Sequence, residues 1–255
     1  MKSKILFSII VFSSLMFLDV SGMDINEAIN KAGRQRMLTQ RMTKDYLMIG
    51  SGVKVEAAQK ELDGSVALFE EQFLELEDFA PTQQIADSLE RVSELWSTFR
   101  MEIVSKPDIN EAASMINKAN ALLKSSHNVV LLLQEYSGAK SAALVNMAGR
   151  QRMLSQRIAM YYIAYYWGVD DPNILKNFNK AKKEFESALN TLEGEQQNTS
   201  EISTYLKKVN SQWEFSKKGF DLESDRLMPS IIYVTTNSML KKMNTVTDLY
   251  ENVQS

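Results

Sequence analysis

The stretch Asn30-Lys-Ala-Gly-Arg-Gln-Arg-Met-Leu-Thr-Gln-Arg41 returns 116 positions later as Asn146-Met-Ala-Gly-Arg-Gln-Arg-Met-Leu-Ser-Gln-Arg157, with ten of the twelve residues identical. A match this long makes the chain a tandem of two copies of one unit, and the rest of the sequence is read against it. Similarity continues faintly downstream. Leu89, Val92 and Trp96 match Leu206, Val209 and Trp213 at an offset of 117, and Ser114-Met115 matches Ser238-Met239 at 124. The drift predicts loop insertions within a multi-helix unit too long to be a solenoid repeat.

Helix breakers divide each copy in the same way. In the first, helices are expected near 24–50, 54–79, 82–105 and 109–137, with Gly50 and Gly52 closing the first, Pro81 ahead of the third and Pro107-Asp108 opening the fourth. The second copy gives 139–167, 172–193, 199–218 and 230–253, broken at Gly168 to Pro172, at Glu193-Gly194 and between Asp221 and Pro229. Four helices per copy is the count of an up-down bundle. The expected fold is therefore all-α, with two up-down four-helix units at 23–137 and 138–255. Gly138 is the one breaker between them, and a glycine costs a helix only about 1 kcal/mol. The fourth and fifth helices are thus expected to be able to run on as one long rod.

Composition agrees with long helices. Four Pro and ten Gly in 255 residues are too few for the frequent turns of a sandwich or barrel. A net charge of -3 gives no global attraction to nucleic acid or anionic lipid, so affinity for anions has to come from a local cluster. With no Cys and a single histidine, His127, the chain has no disulfide, no thiolate metal site and no Ser-His triad. The carboxylates show no spacing that marks an acid and a base. The sequence thus points to no enzyme, no metal and no cofactor. At the N-terminus, Lys2 and Lys4 precede an apolar run from Ile5 to Leu18, about 14 residues and short of a membrane span. Residues 1–22 are read as a secretory signal peptide, leaving a chain exported to the periplasm of a Gram-negative envelope or secreted.

On a helix at 100 degrees per residue, Asn30, Gly33, Arg36, Met37 and Gln40 share one face, with Arg34, Leu38 and Arg41 on the adjacent stripe. Gly33 admits close approach to the backbone. Arg36, one turn on, carries a planar donor fork suited to an oxyanion. Asn146, Gly149, Arg150, Arg152, Met153 and Gln156 repeat the pattern. If the two first helices pack about a pseudo-two-fold axis, Arg36 and Arg152 face one another over two glycines. Two charges about 4 Å apart repel by roughly 4 kcal/mol at an effective dielectric near 20. A bound anion turns that repulsion into attraction.

The two motifs resemble the signature of the PilJ-type domain, the N-terminal region of type IV pili methyl-accepting chemotaxis transducers. They are also similar to the periplasmic box of nitrate and nitrite sensor kinases, A-G-x-x-R-M. The resemblance implies a four-helix bundle that pairs through its first helix and holds a ligand between two copies of the motif. It assigns ligand contact to Gly33, Arg36, Gly149 and Arg152, flanked by Asn30, Asn146, Met37, Met153, Gln40 and Gln156. It further implies that the tandem copies supply two half-sites within one chain, or else pair with a second chain as a homodimer. Arg34 and Arg150 stand where the sensors have a small residue, which favours a larger or more charged anion than nitrate.

The expected function is a sensor-like protein that binds a small anion, a nitrate- or nitrite-like oxyanion or a small carboxylate, and reports it to a membrane-bound receptor or kinase. The alternative is a helical envelope scaffold in which the motif is a packing interface. The cluster Tyr161, Tyr162, Tyr165, Tyr166 and Trp167 and the pair Trp96 and Trp213 read as core, and His127 as a partly buried polar residue.

Overall fold

The computed structural model describes residues 22–253 as eight helices. They are α1 (Ile25–Gly50), α2 (Val55–Phe79), α3 (Gln83–Ile103), α4 (Ile109–Ser137), α5 (Lys140–Trp167), α6 (Ile174–Glu193), α7 (Ser200–Lys217) and α8 (Pro229–Glu251). The signal-peptide reading falls almost wholly outside the described residues. Among those described, no helix is long and apolar enough to cross a membrane.

Local chemistry sets the starts. Asp24, Thr82, Asp108 and Thr199 each accept a backbone N–H from the first turn of the helix that follows, satisfying donors the helix itself leaves open. Pro229 occupies the first turn of α8. Apolar stripes then gather α1–α4 into one four-helix bundle and α5–α8 into a second. Each core holds the same aromatic pair: Phe69 stacks on Trp96 in the first, and Phe185 lies against Trp213 in the second.

The bundles join through their first helices. Helices α1 and α5 are buried almost all round, from Ala28 to Met48 and from Ser141 to Ala164, because each packs within its own bundle and also against the other. They run parallel: Gly33 lies level with Gly149, Lys44 Nζ reaches Gln156, and Gly50 lies under Trp167. The relation is a pseudo-two-fold. Gln35 Nε2 donates to the Phe69 carbonyl and Gln151 Nε2 to the Phe185 carbonyl, while the Tyr46 and Tyr162 hydroxyls accept from the backbone N–H of Asp108 and Met228.

The continuous rod expected at Gly138 is not formed. Gly138 adopts φ 63, a left-handed conformation that ends α4, and Ala139 is extended. The chain reverses there. Gln134 accepts from Asn146, and Asn120 contacts both Tyr161 and Arg157, the pairings of an antiparallel hairpin. The physical reason is burial: a rod would carry α5 away from α1 and leave two faces of the motif helices in water. The Ser114–Ser238 match is also one heptad out of register. Arg36 and Arg152 reach His127 and Asn244, respectively, which fixes the α4–α8 offset at 117, equal to that of α3 and α7.

At the other end of the α1–α5 seam, a Cβ on Gly50 would stand 2.2 Å from the Trp167 ring. A Gly50→Ala chain is expected to lose about 1–3 kcal/mol in urea unfolding, since the rigid, partly buried indole of Trp167 must shift as a whole to admit the methyl. Of the aromatic cluster, Tyr161 and Tyr162 are core, whereas Tyr165 and Tyr166 are exposed.

Candidate functional site

The motif faces meet at the pseudo-two-fold. A Cβ on Gly33 would lie 3.2 Å from Arg36 Nη2 and 3.5 Å from Arg152 Nη2, and one on Gly149 would lie 3.1 Å from Arg152 Nη2 and 3.7 Å from Arg36 Nη2. The notch left by the two glycines is therefore where both guanidinium groups sit. Helical side chains lean toward the N-terminus, so each arginine reaches back across the seam to the other copy. Arg36 Nη2 donates to Asn146 Oδ1 at 2.9 Å, and Arg152 Nη2 donates to the Asn30 carbonyl at 3.2 Å. Arg36 Nη1 bonds His127 Nδ1 at 2.9 Å, and Arg152 Nη1 donates to Asn244 Oδ1 at 3.5 Å.

Both arginines are buried, 1% and 0% exposed. Among the described residues neither has a carboxylate at ion-pair distance, and the Nε of each makes no hydrogen bond. The acids of α2 go elsewhere, Glu75 to Lys31 and Glu70 to Arg100. Burial, with Arg150 adding repulsion, pulls Arg36 down to about 9; burial, with Arg34 and Arg36 adding repulsion and Asp248 and Glu251 opposing it, does the same to Arg152. Both remain charged at neutral pH. His127 is lowered to about 4 by burial and then by Arg36 and Arg150, so it stays neutral and its Nδ1 accepts. Two desolvated positive charges with unused donors and no carboxylate in contact form a centre that favours negative charge, since Asp248 and Glu251 reach Arg152 only through space.

Other motif residues divide. Met37 and Met153 belong to the hydrophobic core. Gln40 is fully buried with neither amide atom hydrogen-bonded, whereas Gln156 Oε1 accepts from Lys44. Arg34 and Arg150 are not brought to the centre: Arg150 pairs with Glu184 at 2.9 Å, and Arg34 lies 3.9 Å from Asp248. They stand one position after the glycine, on the flank of the seam, and act on the centre only through their field.

Two groups were missed by the sequence reading. His127 and Asn244 complete the arginine shell; the signal was their shared offset of 117, hidden by the heptad-shifted match. The second is a buried cluster further up α1. Lys44, 0% exposed, contacts Asp45 at 3.1 Å, Glu61 at 2.8 Å, Gln156 at 3.0 Å and Asn237 at 3.2 Å. Arg41 also binds Glu61, at 2.9 Å. The second copy has Met160, Tyr161 and Asn177 at the places of Lys44, Asp45 and Glu61, so nothing in the repeat marks this cluster.

Glu61, although half desolvated, is held down at about 2 by Lys44 and Arg41. Asp45 is pushed up to about 7 by burial, which outweighs Lys44. A carboxyl whose folded pKa exceeds its unfolded value near 3.8 binds a proton more tightly when folded, so its contribution is fully present at low pH and lost as pH rises to 7. Stability is expected to fall between pH 5 and 7 by at most about 1.4 kcal/mol per unit, and Asp45→Asn is expected to flatten that slope in urea titrations.

The family described as Type IV pili methyl-accepting chemotaxis transducer N-term, PilJ, matches residues 24–124 and 137–229, one match on each copy. No curated protein and no solved structure matches the chain.

Proposed function

Given that the chain belongs to the PilJ family, with two copies of this chemotaxis-transducer sensor domain in tandem, we propose that it is a non-catalytic sensor that binds a small anion between Arg36 and Arg152. The observation that carries this reading is the pair of buried guanidinium groups with no carboxylate partner and a free Nε each. A nitrate- or nitrite-like oxyanion or a small carboxylate would meet two positive forks, and the repulsion between them becomes two charge-assisted contacts. The half-sites that a single-copy domain obtains by pairing with a second chain come here from α1 and α5 of one chain, so a homodimer is not needed to complete the site.

Because the arginines bridge the bundles, anion binding favours whichever relative height of α1 and α5 best closes the forks, the kind of small helix shift that carries signals across such interfaces. Export to the periplasm and relay to a membrane-bound receptor or kinase complete the proposal. It is tested by thermal melting at low ionic strength with nitrate, nitrite, acetate and phosphate. A selective, saturable rise in Tm that disappears in Arg36→Met, Arg152→Met supports the sensor. Identical melting curves with every anion return the motif to a packing interface of an envelope scaffold.

A further inference from the structure

Arg36 and Arg152 are sealed from solvent, so an anion must have a way in. A cleft of about 510 Å³, the size of a small-molecule site, opens between α8 and the α1–α2 face, with Arg41, Glu61, Asn237, Lys241 and Asn244 among its walls. Its wall includes Asn244, the side chain that accepts from Arg152 Nη1. Asn244 thus stands between the cleft and the arginine. Two cations line the cleft. Arg41 is spanned by Glu61 but has an unused Nε, and Lys241 is exposed with no ion pair among the described residues.

The duplication singles out the same wall. In the register fixed by His127 and Asn244, the polar identities between α8 and the facing part of α4 are two, Asn237 with Asn120 and Lys241 with Lys124. Arg41 corresponds to Arg157. A solvated face would have drifted with its neighbours, whereas these positions kept Arg, Asn and Lys together. The two sides differ in what lies beneath. On the α4 side, Tyr161 fills the place of Asp45, its hydroxyl accepts from Asn120, and its ring underlies Arg157 at 5.7 Å. On the α8 side Asp45 is buried against Lys44, and the cleft is walled instead by Arg41, Glu61, Tyr233 and Asn237.

We propose that the cleft lined by Arg41, Asn237, Lys241 and Asn244 is an outer anion site through which a small oxyanion or carboxylate passes to the Arg36–Arg152 pair, on the α8 side alone. This rests on the anion-binding reading above. Cations in a walled cleft raise the local anion concentration and the rate of entry, an effect that salt suppresses.

The test uses ¹⁵N-nitrate and ¹³C-acetate as probes, with association rates taken from NMR exchange broadening on the whole chain. Lys241→Glu, a surface change that leaves the core intact, is expected to slow association about fivefold or more at ~10 mM ionic strength, and hardly at all at ~0.5 M salt. Lys124→Glu, the same charge change at the pseudo-symmetric position, is expected to alter it less than about twofold. Equal slowing by both variants, or by neither, overturns the one-sided route while leaving binding at the arginine pair intact. Probe binding that survives Arg36→Met, Arg152→Met but is lost in Lys241→Glu makes the cleft the whole site and overturns both the route and the pair. Absence of binding by either probe to the unmodified chain also overturns both.

Discussion

Replacing Arg36 and Arg152 together by methionine is expected to leave the anion-free protein as stable as before, or up to about 4 kcal/mol more stable, while abolishing every anion-dependent gain. Methionine keeps much of the volume and removes two buried charges with no carboxylate in contact, the situation in which an apolar replacement is neutral or stabilising. Against this stand the groups that lose donors, His127 Nδ1, Asn146 Oδ1, Asn244 Oδ1 and the Asn30 carbonyl. All but Asn30 belong to half-buried residues that water can reach, which limits the cost. In the unmodified chain, an anion at a hundred times its Kd adds about 2.7 kcal/mol. For a chain of this size that is a rise in Tm of about 5 to 10 °C. The check is a pair of melting series, with and without anion, on both proteins. A double variant several kcal/mol less stable than its parent would mean that the arginines act as structural donors.

The pH dependence adds a second readout. Each arginine is held near 9 in the fold against 12.5 when free. For a base whose folded pKa is depressed, the penalty of burial is fully present below the folded value and is relieved as pH rises above it. The anion-free parent is therefore expected to close the gap on the double variant above pH 9, and not between pH 6 and 8.

Lys44→Met is expected to act in the opposite sense and to destabilise the protein by about 3–5 kcal/mol, the cost of removing one partner from a buried charged group. Lys44 joins Asp45 and Glu61 of the first bundle to Gln156 of α5 and Asn237 of α8, so one amine ties four elements together. Without it Asp45 has no cation in contact and Glu61 keeps only Arg41. Equilibrium urea unfolding measures the loss. Pairing the change with Asp45→Asn is expected to recover part of it, because the carboxyl that burial forces to take up a proton once Lys44 is gone is replaced by a neutral amide.

The contrast between these variants shows how the site was legible. Arg36 and Arg152 stand out in the sequence because the motif is repeated, and the angular arithmetic of a helix places each beside its glycine. Lys44 and Asp45 lie on the same helix and are as deeply buried, yet nothing singles them out, since a Lys-Asp dipeptide reads as a solvated face. Their burial follows from α1 being covered on every side. Helix ends were legible to within a few residues at Pro229, Gly138 and the capping residues Asp24, Thr82, Asp108 and Thr199. The direction of the chain after Gly138 was not, because a glycine permits both a kinked continuation and a left-handed stop.

By itself the sequence determined that the chain is helical, that it holds two copies of one four-helix unit and that each copy offers a glycine and an arginine on one face. These are properties of periodicity and repetition, and they depend only on residues near one another in the chain. Tertiary structure alone decided that α1 and α5 run side by side and parallel, that each arginine crosses to the other copy, and that Arg34 and Arg150 stay outside. It also decided that Asp45 is buried against Lys44 on one side of the seam where Tyr161 stands on the other. Those outcomes depend on which faces the two bundles bury together, and burial sets the electrostatics. The same guanidinium that would be an ordinary solvated cation on an isolated helix becomes, between two bundles with no carboxylate in contact, a buried charge that an anion would stabilise.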